Sequence, residues 1–157
     1  MVRDLFKGAL AGATAGAAGT VALNAVTYFD MVVRARPASS TPQQVVSRLA
    51  DTAGVEIPGD EETRQNRLSG LGPLAGLVTG VAVGSLVGFL RAAGLRLPGA
   101  VTAVLTGATA MAATDTPMAV LGVSDPRRWT ATDWLSDAAP HLAYGAVTAA
   151  VMGALEH

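Results

Sequence analysis

The sequence has no cysteine, so disulfides, thiolate metal sites and thiol catalysis are excluded. It has little charge. Only 15% of its 157 residues are charged, whereas soluble domains carry roughly a quarter. Basic and acidic residues nearly cancel, at 11 and 12, which removes the electrostatic case for nucleic acid. One lysine is present, Lys7; it alone could form a Schiff base, and it is expected to sit outside any pocket. Two histidines are too few for a haem or di-iron site of the usual kind. The chain has no Walker loop, no His-Glu-x-x-His and no Gly-x-Ser-x-Gly, the patterns that would carry phosphate, zinc or acyl-transfer chemistry. No catalytic residue, metal ligand or cofactor is therefore expected, and the chain reads as a non-enzyme. The arginine bias and the abundant Ala, Gly and Val match the composition of a high-GC bacterial genome.

Half of the residues are hydrophobic, and they gather in four runs. A bilayer core of about 30 Å needs about 20 apolar residues in a helix. The runs cover approximately 8–33, 68–90, 97–123 and 137–155, and a polar segment, 34–67, separates the first two. An amphipathic surface helix would show a polar face at a 3.6-residue period. The first, second and fourth runs show almost none. Arg3 and Lys7 ahead of the first run also fit a signal peptide, but three more runs follow, so its removal would still leave a membrane protein. The expected fold is all-α: residues 1–157 as a single membrane domain, an integral four-helix bundle with the lipid bilayer as its solvent.

Glycine supplies the most specific pattern. Gly72, Gly76, Gly80, Gly84 and Gly88 recur at every fourth position, which places them on one stripe of a helix. Gly8, Gly12 and Gly16 repeat the device in the first run, Gly99, Ala103 and Gly107 in the third, and Gly145, Ala149 and Gly153 in the fourth. Lipid tails are as apolar as side chains, so helices in a bilayer associate through close backbone contact at small residues. Glycine-zipper packing is the expectation. It serves contacts within the chain, with a second copy or with another membrane subunit equally well.

The second and fourth runs are alike, since Gly76-Leu77-Val78-Thr79 matches Gly145-Ala146-Val147-Thr148. The first and third share Gly-Ala-Thr-Ala at 12–15 and 107–110. Two parallel helix-pair repeats would produce this. In the polar segment, Pro37 stops the first helix. Thr41-Pro42-Gln43-Gln44 reads as an N-cap, a first-turn proline and a capping-box glutamine. A short amphipathic helix over 42–53 follows, with Val45, Val46, Leu49 and Ala53 on one face, Gly54 at its end, and a place on the membrane surface or capping the bundle. Pro58-Gly59-Asp60-Glu61-Glu62 reads as a turn and a solvated acidic run. Trp129 and Trp134 suit the headgroup layer. Both termini share a side with Arg91 and Arg96. The other arginines near span ends put the first and third loops in the cytoplasm by the positive-inside count.

Lys7-Gly8-Ala9-Leu10-Ala11-Gly12, Thr20, the Arg36-Pro37 exit and Thr41-Pro42-Gln43-Gln44-Val45-Val46 resemble the opening of small bacterial membrane proteins of the YagU-like group. Pro140-His141-Leu142-Ala143-Tyr144-Gly145 is similar to a histidine–tyrosine–glycine segment near the end of such proteins. The resemblance implies a multi-pass protein of the bacterial inner membrane with a link to acid tolerance, and it brings no catalytic residues.

Polar groups inside the apolar runs are costly and mark candidate sites. Asp115 lies beside Thr114 and Thr116, and Pro117 frees the carbonyl of Ala113 from its helical bond. That set could bind a proton or cation. It could equally be packing glue, or a helix restart with Thr116 as N-cap. His141 and Tyr144 stand one turn apart on the fourth run, as a titrating pair or as an interfacial pair. Asn24 reads as an interhelical hydrogen-bond donor, and Asp30 with Arg34 as a pair closing the first helix. Leu155-Glu156-His157 resembles the start of a purification tag, and His157 is assigned no role. Two functions follow. One is a structural or accessory membrane protein that associates with a larger complex or with itself. The other is a proton or small-solute conduit centred on Asp115, with Asn24 and His141 as partners.

Overall fold

The computed structural model describes residues 1–155, and the reading of His157 falls outside them. The described residues form five α-helices: α1 (Val2–Arg34), α2 (Thr41–Ala53), α3 (Glu61–Ala92), α4 (Gly99–Val120) and α5 (Ala131–Leu155), with a 3-10 turn at Pro126–Arg128. Three of them, α1, α3 and α5, are long and apolar enough to cross a membrane. The third run was expected to be a span as well. Its helix, α4, falls short of that hydropathy because Thr102, Thr106, Thr109, Thr114, Thr116 and Asp115 dilute its apolar residues.

The surface is inverted relative to a soluble protein. Large apolar side chains face outward along the helices, among them Phe6, Val21, Phe29, Leu74, Val78 and Leu142. The side chains buried completely are few, and the largest are Tyr144, Thr106 and Thr148. Contiguous apolar surface on this scale has no place in water and is the natural exterior in lipid.

The helices extend past the apolar runs that predict them. At 32 residues α3 is roughly 48 Å long, well over the bilayer core. The acidic run is exposed as expected, and it also starts the helix: Asp60 is the N-cap, its carboxylate accepts from the Thr63 N–H at 2.9 Å, and Glu61 and Glu62 occupy the first turn. Acidic residues there complement the helix dipole. In the same way α5 begins at Ala131, six residues ahead of the apolar run. Thr130 and Asp133 cap it reciprocally, the Asp133 N–H donating to Thr130 Oγ1 at 3.2 Å and the Thr130 N–H to Asp133 Oδ2 at 2.9 Å. Trp129, just before this end, and Trp134, in its first turns, meet edge to face, 5.0 Å between ring centroids. The N-cap of α2 is Ser40, one residue before the expected Thr41. Gln44 Nε2 donates to the Ser40 hydroxyl at 2.8 Å, and Gly54 ends the helix in the left-handed region at φ 66°.

α1 is the central helix. It packs antiparallel against α3 on one side and α5 on the other, while α4 leans mainly on α5 and α2 lies across the start of α3. Backbone meets backbone where α1 crosses α3. A Cβ on Gly8 would stand 2.7 Å from the Gly88 carbonyl oxygen, and one on Gly84 2.6 Å from Gly16 Cα. Gly12 and Gly80 complete the crossing. A second crossing joins α4 to α5, where a Cβ on Gly145 would stand 2.6 Å from Gly107 N and one on Gly107 2.6 Å from the His141 carbonyl oxygen.

Three glycines of the expected ladders, Gly76, Gly99 and Gly153, have nothing against them. Four residues turn a helix by about 400°, so a fourfold stripe rotates about 40° per step. The α3 stripe accordingly splits: Gly80, Gly84 and Gly88 face α1, Gly72 faces Pro42 and Gln43 of α2, and Gly76 between them meets nothing. Gly153 also stands in open space, because α4, running antiparallel to α5, begins at Gly99 and ends its contact before reaching it. The repeat suggested by the sequence is not matched in packing register. Gly12 corresponds to Gly107 and Gly76 to Gly145, yet Gly107 meets Gly145 while Gly12 meets Gly84 and Gly88.

Candidate functional site

The α4–α5 crossing sets the geometry of the polar cluster. Gly107 and Gly145 let the two backbones touch, and the turns that follow on α4 and precede on α5 bring Thr114 and Asp115 against Asp137 and His141. Asp137 and His141 are four residues apart and share one face of α5. The Asp115 and Asp137 carboxyl groups lie within hydrogen-bonding reach of each other, and Thr114 also reaches Asp115. His141 Nδ1 is 2.8 Å from the Asp137 carbonyl oxygen and 3.5 Å from Asp137 Oδ1. The carbonyl oxygen cannot donate, so Nδ1 carries the proton and Nε2 faces the Thr114 hydroxyl at 3.4 Å. The Thr114 hydroxyl itself donates to the Met111 carbonyl at 2.9 Å.

Prolines flank the cluster on both helices. Pro117 cannot bond the Ala113 carbonyl, and Pro140 cannot bond that of Ser136. α4 nevertheless runs unbroken through Pro117 to Val120. The helix restart with Thr116 as N-cap is therefore corrected. Pro117 stands one turn from the helix end, where losing a single bond leaves the rest of the ladder intact.

Burial grades across the site. His141 is 8% exposed and the Asp137 side chain 24%, with Asp115 and Thr114 half-buried beside them. The carboxyls are thus reachable from outside the bundle, and the imidazole lies behind them. Tyr144 closes the interior one turn further along. It is fully buried against Gly19 and Gly80, and its hydroxyl donates to the Gly80 carbonyl at 2.6 Å. His141 and Tyr144 were expected to share a role or to mark the membrane interface. Both lie inside the bundle, because α5 starts six residues earlier than its apolar run. They point to different helices, His141 to α4 and Tyr144 to α3.

Asn24 does not join the cluster and makes no interhelical bond; it is exposed on α1. The α1–α3 register pairs Gly8 with Gly88 and Gly16 with Gly80, so Asn24 would face Gly72, whose near side α2 occupies. Asp30 does pair with Arg34, at 3.3 Å, and also with Arg36.

Asp137 is the member that sequence reading missed. It stood at the edge of the fourth apolar run and was taken as a boundary. Its i, i+4 spacing to His141 was the available signal.

Two ionised carboxylates have no proton to share, so a carboxyl–carboxyl hydrogen bond requires one bound proton. Asp137 Oδ2 is buried and has no other partner, which suits it to that bond. The adjacent imidazole can accept a second proton at Nε2. Asp115, Asp137 and His141 do not converge as a metal-ligand group among the described residues. The arrangement can therefore hold a proton and move it among three side chains. No protein family, curated protein or solved structure matches the chain.

Proposed function

We propose that this chain is a four-pass, proton-binding membrane protein in which the Asp115–Asp137–His141 cluster takes up and releases a proton. The observation that carries the reading is the contact of two carboxyl groups beside an imidazole, between helices that glycine holds close. In this reading α4 is the fourth span. Its 22 residues make roughly 33 Å, the thickness of the bilayer core; Thr102 and Thr106 are buried, and Thr114 and Asp115 meet α5. The close contacts at Gly8, Gly12, Gly16, Gly80, Gly84 and Gly88 act as a glycine zipper that keeps the bundle rigid around the site. The YagU-like resemblance, with its bacterial inner membrane and acid-tolerance link, points the same way, and the second of the two regions that carry it contains His141.

The test uses the purified chain in proteoliposomes. Infrared difference spectra between acid and neutral pH should show a protonated-carboxyl stretch that disappears in Asp115→Asn. Proton flux into the same liposomes decides whether the site conducts. If Asp115→Asn leaves both the spectrum and the flux unchanged, the proposal fails.

A second reading is an accessory protein that binds another membrane subunit or a second copy. Gly76 and Asn24 favour it, because both lie on the outer surface of apolar helices with nothing against them. Gentle extraction from native membranes should then recover a co-purifying chain or a homo-oligomer, and a clean monomer would sink the idea.

A further inference from the structure

The last turn of α1 meets the first turns of α5 beside the carboxyl cluster. Arg34 Nη1 donates to the Ser136 hydroxyl at 2.5 Å, a contact between residues 102 positions apart, and Ser136 immediately precedes Asp137. The same guanidinium stands 3.3 Å from Asp30 Oδ1, while Arg36 Nε donates to Asp30 Oδ2 at 2.5 Å. It also attracts the Asp133 carboxylate, which caps α5. The turn that ends α1 allows this arrangement. Ala35 adopts the left-handed region at φ 49°, the one residue other than glycine to do so among the described residues. That backbone conformation is strained for a residue with a Cβ. It doubles the chain back so that Arg36 reaches Asp30. The contact with Ser136 falls at a joint in α5. Pro140 leaves the Ser136 carbonyl without its helical bond, and helices bend where proline does this. Asp137 stands on the N-terminal side of Pro140, and residues 131–135 ahead of it are all exposed.

We propose that Arg34 is a positioning residue for the carboxyl cluster: through Ser136 it holds the first turns of α5 against α1, and so keeps Asp137 in contact with Asp115. The inference rests on the proton-binding reading of that cluster. Asp115 faces Asp137 from α4 and His141 faces it from α5 itself, while α1 supplies the Asp30–Arg34–Arg36 set next to Ser136. Charge and position then predict opposite effects of losing Arg34. Removing a cation near the carboxyls by itself favours their neutral, protonated forms. Releasing the start of α5 separates the two carboxyls instead. Paired carboxyls are coupled by more than about one pH unit, so the shared proton is then bound more weakly and leaves at lower pH. Ser136 separates the two effects, because its hydroxyl carries the contact and no charge.

The experiment follows the protonated-carboxyl infrared band against pH, with the full chain in proteoliposomes. Amide exchange over residues 131–139 is measured on the same samples. Arg34→Gln and Ser136→Ala should each quicken that exchange. Each should also move the midpoint of the band down by about one pH unit, which is about tenfold weaker proton binding. Ser136→Ala removes a single oxygen atom, so it tests the contact even where Arg34→Gln unfolds the chain. A midpoint that rises in Arg34→Gln and stays in place in Ser136→Ala leaves Arg34 a charge effect only and overturns the proposal. Midpoints equal to the native one in both variants also overturn it, while the native band still supports the proton site. A native chain with no titrating carboxyl band sinks the proton-binding reading and this proposal with it.

Discussion

Adding one methyl group to Gly84 tests the packing argument. A Cβ there would stand 2.6 Å from Gly16 Cα and 2.8 Å from Gly16 N. Both are backbone atoms, which cannot rotate aside, so α3 must back away by about 1 Å to reach an ordinary carbon contact near 3.5–4.0 Å. The displacement is shared by the neighbouring contacts at Gly8, Gly12, Gly80 and Gly88. A gap of about 0.5–1 Å forfeits a quarter to a half of each dispersion contact, and overpacking a close-packed site costs about 1–3 kcal/mol. Relative to a Gly→Ala change that makes no contact, the folding equilibrium of Gly84→Ala should fall about 5- to 150-fold. Gly76→Ala is the control. It lies on the same helix with nothing within 4 Å, and alanine's helix propensity gives it a gain of up to ~1 kcal/mol. Comparing the two cancels the shared propensity and leaves the contact. Reversible unfolding in mixed micelles, followed by the fluorescence of Trp129 and Trp134, measures both. If Gly84→Ala falls within about 0.5 kcal/mol of Gly76→Ala, a margin typical of surface substitutions, the close α1–α3 crossing is wrong.

Tyr144→Phe removes the hydroxyl that bonds the Gly80 carbonyl. Interhelical bonds of this kind average about 0.6 kcal/mol in a membrane protein and reach ~1.7. The variant should lose stability within that range in the same unfolding assay while its fold is kept, and a gain would contradict the bond. Asp60 gives the pH dependence of α3's free end. The Thr63 hydroxyl and N–H hold its carboxyl below the usual carboxylate value. Its cap is complete above the unfolded-chain value near ~4 and is lost as pH falls through the lower folded value. Amide exchange over residues 61–64, corrected for intrinsic rate, should rise on acidification below about pH 4. Asp60→Asn, which keeps the acceptor, should flatten that rise.

Composition and periodicity made the all-helical fold legible, together with the apolar character of α1, α3 and α5 and the fourfold glycine spacing. These are local properties. A run of apolar residues without a polar face has few places to go, and a helix needs only its own backbone to satisfy its hydrogen bonds. Helix ends were read less well at Glu61 and Ala131. Counting apolar residues finds the part that fits the bilayer, whereas capping by Asp60 and Thr130 sets where the helix starts. The sequence also singled out Asp115 and His141, since ionisable groups among apolar residues are conspicuous.

Tertiary structure alone decided which faces meet. Gly76 and Gly84 are equivalent in the sequence pattern, but a fourfold stripe rotates about 40° at each step, so one faces α1 and the other faces outward. Asn24 and Asp137 exchanged importance for a similar reason. Asn24 looked internal but lies outside, opposite a part of α3 that α2 covers. Asp137 looked like a boundary, but α5 extends beyond it and the Gly107–Gly145 crossing delivers it to Asp115. The sequence determined that this chain would form apolar helices able to approach closely. The register of two glycine crossings, which depends on contacts far apart in the chain, decided that two carboxyl groups and a histidine meet between two of them.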